Sequence, residues 1–164
     1  MVARAKTEAK KEFFALLARR KMRLTSQRLA IVEAVFGTDQ HFTAEQLLAW
    51  SRLRDPSVSR ATVYRTLPLL VQNGFVQALN LGKEETVYDP NYVDHPSHSH
   101  IICTDCDEIV EFESEQLAEI ESQIRKQLGF QVDSMTLQVT ARCGEFRRLG
   151  FCQKRERCSH RDPS

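Results

Sequence analysis

The stretch Asp94-His95-Pro96-Ser97-His98-Ser99-His100-Ile101-Ile102-Cys103-Thr104-Asp105-Cys106 divides this chain into two kinds of sequence and decides how the fold is read. It holds three of the five histidines and two of the five cysteines. Imidazole and thiolate are the donors that borderline-soft divalent metals take. Residues 1–80 carry 13 Lys+Arg against 6 Asp+Glu, a formal +7, while residues 81–164 carry the other 10 against 16, a formal −6, so the net charge of +1 conceals a division. That asymmetry points to a polyanionic partner for the first half, with a solvated helical surface as the ordinary alternative.

A length of 164 residues allows one domain or two small ones. No apolar run approaches the roughly 18 residues a membrane span needs, and the first 25 residues are too charged for a secretory signal, so a cytoplasmic protein is expected. In that compartment an odd number of cysteines argues for metal ligands or redox groups over a disulfide framework.

Upstream of the dividing stretch the pattern is helical. Residues 5–21 place Phe13, Leu16 and Leu17 on one face of a basic first helix. Thr25 is an N-cap for a second helix ending near Gly37, and Thr43 with Gln46 forms a capping-box start for a third. Ser59 opens a fourth helix running to Asn73-Gly74, with Pro68 an awkward interior residue. Residues 75–79 and 85–88 read as two strands around an 80–83 turn. Three short helices followed by a β-ribbon predict a winged helix-turn-helix over residues 1–88, with an extended N-terminal helix. A hinge is placed at 89–95 and an α/β domain over 96–164, an α+β protein in all. In that second part His98–Ile102 and Ile109–Phe112 are expected strands, Ser114 caps a helix through Leu128 that Gly129 ends, and residues 132–139 form a further strand. The basic tail from Cys143 carries no assignment.

Cys103-x-x-Cys106 is half of a structural zinc site, because two thiolates that close can grip one tetrahedral ion. Cys143 is the third ligand. Cys152 is preferred to Cys158 as the fourth, since the shorter loop closes at lower entropic cost. A redox dithiol is the alternative. His98 and His100, two apart on a strand, face the same side and can serve a second metal, with oxygen ligands to come from Asp89, Glu111 and Glu108. The start of the fourth helix offers Ser59, Arg60, Thr62, Tyr64 and Arg65, side chains suited to phosphates and base edges in a major groove. Arg23, Arg28 and the Arg19-Arg20-Lys21 cluster add possible backbone contacts.

These pieces together resemble the ferric uptake regulator family of metal-dependent repressors. The matching segments are Arg23-Leu24-Thr25-Ser26-Gln27-Arg28, His41-Phe42-Thr43-Ala44-Glu45, Ala61-Thr62-Val63-Tyr64-Arg65-Thr66-Leu67, Val87-Tyr88-Asp89 and His98-Ser99-His100-Ile101-Ile102-Cys103-x-x-Cys106, in family order over roughly residues 20–145. The resemblance implies a winged helix joined to a dimerisation domain. It implies a homodimer, or a higher oligomer, on a pseudo-palindromic double-stranded DNA operator. By resemblance His41, Asp89, His98, His100 and Glu111 hold the regulatory metal, Cys103, Cys106 and Cys143 the structural Zn2+, Tyr64 and Arg65 read bases, and Arg23 reaches the minor groove. Ser97, Ser99, Ala118 and Met135 stand where many members carry an extra metal site, which is expected to be absent, and Arg148 stands where a cysteine is common. The regulatory set contains no Cys, which suits Fe2+ or Mn2+ better than Zn2+. Glu111, where peroxide sensors usually carry Asp, favours an iron-dependent repressor, with peroxide or zinc sensing as the alternatives.

A zinc deaminase would need His-x-Glu followed by Pro-Cys-x-x-Cys. Glu45 lies four residues beyond His41 and no proline precedes Cys103, so no enzyme is expected. A passive metal-storage module would not need the recognition helix.

Overall fold

The computed structural model describes residues 2–80, 85–90, 98–105, 108–132, 135 and 137–150. Cys106, Cys152, Cys158, Ser97, residues 81–83 of the expected turn and 91–95 of the expected hinge lie outside them. The chain divides into two compact units, Met1–Pro96 and Ser97–Ser164.

Among the described residues the first unit carries four helices and a small sheet. Helix α1 spans Val2–Arg19 and stops where Lys21 turns left-handed at φ 53°, and the Met22 amide closes back on the Leu17 carbonyl at 2.9 Å. Its seam of Ala9, Phe13 and Leu17 is buried, at the four-residue spacing of one helix face. Helix α2, Ser26–Phe36, is capped by Thr25, whose hydroxyl accepts from the Arg28 amide at 3.3 Å. Strand β1, Phe42–Thr43, leads into α3, Ala44–Arg52, where the capping box forms with both bonds, Thr43 N to Gln46 Oε1 at 2.9 Å and Gln46 N to Thr43 Oγ1 at 3.2 Å. Helix α4, Arg60–Gln72, starts at Ser59, whose Oγ accepts from Thr62 N at 3.1 Å.

Pro68 sits inside α4 without ending it. The carbonyl whose amide partner a proline removes at this position belongs to Tyr64, and Tyr64 and Pro68 both lie on the solvent-exposed face of the helix. On the opposite face Val63, Thr66, Leu67 and Leu70 are buried against the core, with the Thr66 hydroxyl bonded to the Thr62 carbonyl at 2.8 Å. Phe13 meets Phe75 edge to face with centroids 5.4 Å apart, which ties α1 to the segment following α4.

The expected ribbon differs in detail. Strand β2 is Gln77–Leu79 and β3 is Val87–Asp89, paired antiparallel. Phe75 and Val76, expected in the first strand, are core residues instead. A third strand, β1, joins the far edge of β3 with Phe42 opposite Tyr88, giving the order β1-β3-β2.

The second unit is built on β4, Ser99–Cys103, flanked by antiparallel β5, Ile109–Phe112, and parallel β6, Gln138–Ala141. The strand expected over 132–139 therefore lies later. Its position is fixed by pairing with β4, where Ile101 lies opposite Val139 and Cys103 opposite Ala141. Helix α5, Glu115–Gln123, continues as a wider π-helical turn over Ile124–Leu128 and ends at Gly129 with φ 72°. Ser114 holds the N-cap position without a capping bond, because its hydroxyl donates to Gln116 Oε1 at 2.7 Å. The unassigned segment after Cys143 forms a short helix α6, Gly144–Leu149. No helix among the described residues is long and apolar enough to cross a membrane.

Candidate metal centre and nucleic-acid interface

Within the first unit, antiparallel pairing of Phe42 with Tyr88 brings the residues just outside them, His41 and Asp89, side by side. His41 Nε2 lies 3.9 Å from Asp89 Oδ1, and the Asp89 side chain is 0% exposed. The stacked rings of Phe42 and Tyr88, with Trp50 edge-on to Phe42, form an apolar wall beside this pair. A fully buried carboxylate beside an imidazole is a costly arrangement unless its charge is neutralised, which is what a divalent cation does.

Within the second unit the sequence-predicted residues also gather. His98 Nε2 and His100 Nε2 are 3.1 Å apart, both side chains are buried, and His98 Nε2 is 3.9 Å from Glu111 Oε1. Glu111 is the cross-strand partner of His100 in the β4–β5 ladder. Two imidazole nitrogens bound at about 2.0–2.1 Å to one ion lie roughly 3.0–3.4 Å apart, so the observed spacing fits chelation. Nitrogen and oxygen donors without sulfur suit a first-row divalent ion of intermediate hardness. Glu108, weighed as an oxygen donor, offers its carbonyl to the Cys103 amide at 2.9 Å.

Cys103 closes β4 and is buried; Cys143 lies two residues beyond Ala141, the partner of Cys103 on the neighbouring parallel strand. Parallel register thus brings both cysteines to the same end of adjacent strands, soft donors that suit a tetrahedral zinc. Asp105 receives the Cys143 amide on Oδ2 at 2.8 Å, a contact that spacing alone did not signal.

The outer face of α4 is polar. Arg60, Ala61, Tyr64 and Arg65 are exposed, Tyr64 by 52%, and Thr62 is half-buried. Thr62 donates to Gln27 Oε1 at 2.7 Å and shares a 2.8 Å bond with Ser59 Oγ, which joins the start of α4 to α2. Arg60 and Tyr64 converge on Glu45 of α3. Arg28 donates to the Arg23 carbonyl, bracing the loop from which the exposed Arg23 side chain projects. Glu45 and Gln27 were missed as shapers of this face; Glu45 stands in the first turn of α3, where an acid reads simply as a helix-dipole residue.

A helix-turn-helix with a small sheet and an exposed polar recognition helix, in a chain whose second unit gathers imidazole, carboxylate and thiol donors, defines a metal-responsive DNA-binding regulator. The model of the Ferric uptake regulator family matches residues 19–140, and the chain belongs to that family. The Ferric uptake regulation protein of Campylobacter jejuni subsp. jejuni serotype O:2 is 31% identical over 126 residues, covering 76% of this chain and 79% of its own. The peroxide-responsive repressor PerR of Staphylococcus epidermidis is 31% identical over 139 residues, covering 85% and 91%. The solved structure of the ferric uptake regulator from Francisella tularensis with iron matches with a TM-score of 0.61 at 27% identity, over 77% of this chain and 95% of that one. The protein is accordingly a metal-responsive transcriptional repressor and not an enzyme. Proteins of this family are dimeric DNA-binding regulators.

Proposed function

We propose that this repressor responds to Fe2+, with Mn2+ as the closest substitute, through His41, Asp89, His98, His100 and Glu111 acting on one ion. The donor chemistry carries this reading: imidazole and carboxylate from both units, with no sulfur, and Glu rather than Asp at position 111. When bound, the metal supplies a positive charge that five donors from the two units share. His41 belongs to the DNA-binding part, residues 1–88, and Asp89 stands directly beside it. His98, His100 and Glu111 belong to the dimerisation part, residues 96–164, so segment 89–95 acts as the hinge. An arrangement in which all five converge is populated in proportion to the ion's preference for it, and operator binding follows that population. Cys103, Cys106, Cys143 and Cys152, or Cys158 in place of the last, hold a structural Zn2+.

The chain acts as a homodimer that sets two α4 helices on half-sites of a pseudo-palindromic operator. The exposed Ile120, Leu128, Phe130, Leu137 and Leu149 of the second unit, Phe130 by 67%, support an apolar dimer contact. Arg23, Arg28, Ser59, Arg60, Thr62, Tyr64 and Arg65 face the duplex.

Protein purified without oxygen, analysed by elemental mass spectrometry and titrated with operator DNA under each metal, tests the reading. Fe2+ should switch on binding with one zinc per chain retained. Binding switched on only by added Zn2+ would overturn it. A second reading, peroxide sensing, rests on the PerR relative and on Asp89. It predicts that peroxide abolishes DNA binding by the Fe2+ form but not by the Mn2+ form.

A further inference from the structure

We infer that Asp105 is the positioning residue that holds the Cys143 thiol at the structural zinc, an inference that rests on reading Cys103 and Cys143 as zinc ligands. From the last pair of the ladder, Cys103 opposite Ala141, the two strands continue side by side. The Thr104 amide and hydroxyl both donate to the Ala141 carbonyl, at 2.8 and 3.2 Å. One step further on, Asp105 Oδ2 accepts the Cys143 amide at 2.8 Å and faces Arg147 Nε at 3.4 Å, with the Asp105 side chain only 17% exposed. The Phe146 amide meanwhile donates to Cys143 Sγ at 3.3 Å. The backbone of Cys143 is therefore clamped to the knuckle that begins at Cys103, by a carboxylate whose charge Arg147 offsets. Cys143 comes from a distant part of the chain, so its arrival at the knuckle depends on such a tether, and partners of metal ligands tune retention in the same way.

The test uses the zinc-loaded full-length protein with a chromophoric zinc chelator, and alkylation of each cysteine followed by mass spectrometry. Asp105→Ala should release zinc about ten-fold faster or more, with Cys143 alkylated early while Cys103 stays protected. Asp105→Asn keeps an acceptor oxygen without the charge and should fall between; it becomes the deciding variant if Asp105→Ala does not fold. Wild-type release from these variants, beside a Cys143→Ser protein that has lost its zinc, overturns the inference and leaves the zinc reading standing. Cys103 and Cys143 becoming reactive together also overturns it, by showing a general loosening. Full zinc retention by Cys143→Ser removes the zinc reading and the inference with it.

Discussion

Glu45 holds Arg60 across the helix-turn-helix: Arg60 Nη2 donates to Glu45 Oε2 at 2.9 Å, while Tyr64 Oη donates to Glu45 Oε1 at 3.4 Å. One carboxylate thus sets the direction of two side chains on the exposed face of α4 and offsets one positive charge there. Both partners are largely exposed, so the pair adds little to stability. Its consequence is for binding. In Glu45→Ala, Arg60 is available to phosphate, non-specific DNA affinity should rise, and the slope of log K against log salt should steepen by about 0.9. An unchanged slope in a filter-binding or anisotropy series would remove Arg60 from the interface.

Arg65 projects from the same exposed face, and no ion pair of Arg65 is seen among the described residues. Arg65→Ala should lose about 1–3 kcal/mol of discrimination between operator and scrambled DNA. Metal content should not change. Equal loss on both DNAs would make Arg65 a phosphate contact instead.

His98 and His100 are buried 3.1 Å apart. The double variant His98→Ala, His100→Ala should lose Fe2+-dependent operator binding while retaining its zinc, as read by gel shift and elemental analysis. Loss of zinc as well would mean that the two sites are one unit.

Phe13 is 0% exposed and packs edge-on to Phe75. Phe13→Ala should cost about 3–5 kcal/mol in urea unfolding. Lys6 and Lys10 on the same helix pair with Asp39 and Glu33. Truncating Lys10 should cost far less, because its pair keeps contact with solvent, whereas Lys6 is buried and its ammonium also donates to the Thr38 carbonyl at 2.7 Å.

Asp55, in the turn between α3 and α4, has its carboxyl held below the ordinary value by the Ser57 hydroxyl, then by the Ser57 amide and Ser26. A depressed folded-state value means that its contribution to stability is present above the ordinary carboxyl range and is lost as pH falls through the folded value. Ser57→Ala should move the Asp55 titration upward toward 3.8, followed by carboxyl NMR. A titration unchanged in that variant would leave the amide and Ser26 as the cause.

The helices and their caps were legible in the chain because those signals are local. Thr25, the Thr43–Gln46 box and Ser59 act on amides three residues away, and the Val63, Thr66, Leu67, Leu70 spacing sets which face of α4 is buried. Donor types at short spacing, His98 with His100 above all, were legible for the same reason. Tertiary structure alone decided what depends on distant pairing. Strand β1 is two residues long, too short for any periodicity, yet its pairing with β3 is what sets His41 beside Asp89. Strand β6 takes its place from a parallel ladder with β4, formed across a helix, and a one-residue slip would turn its side chains to the other face. That register, invisible in the order of residues, carries the Cys143 amide to its hydrogen bond with the Asp105 carboxylate.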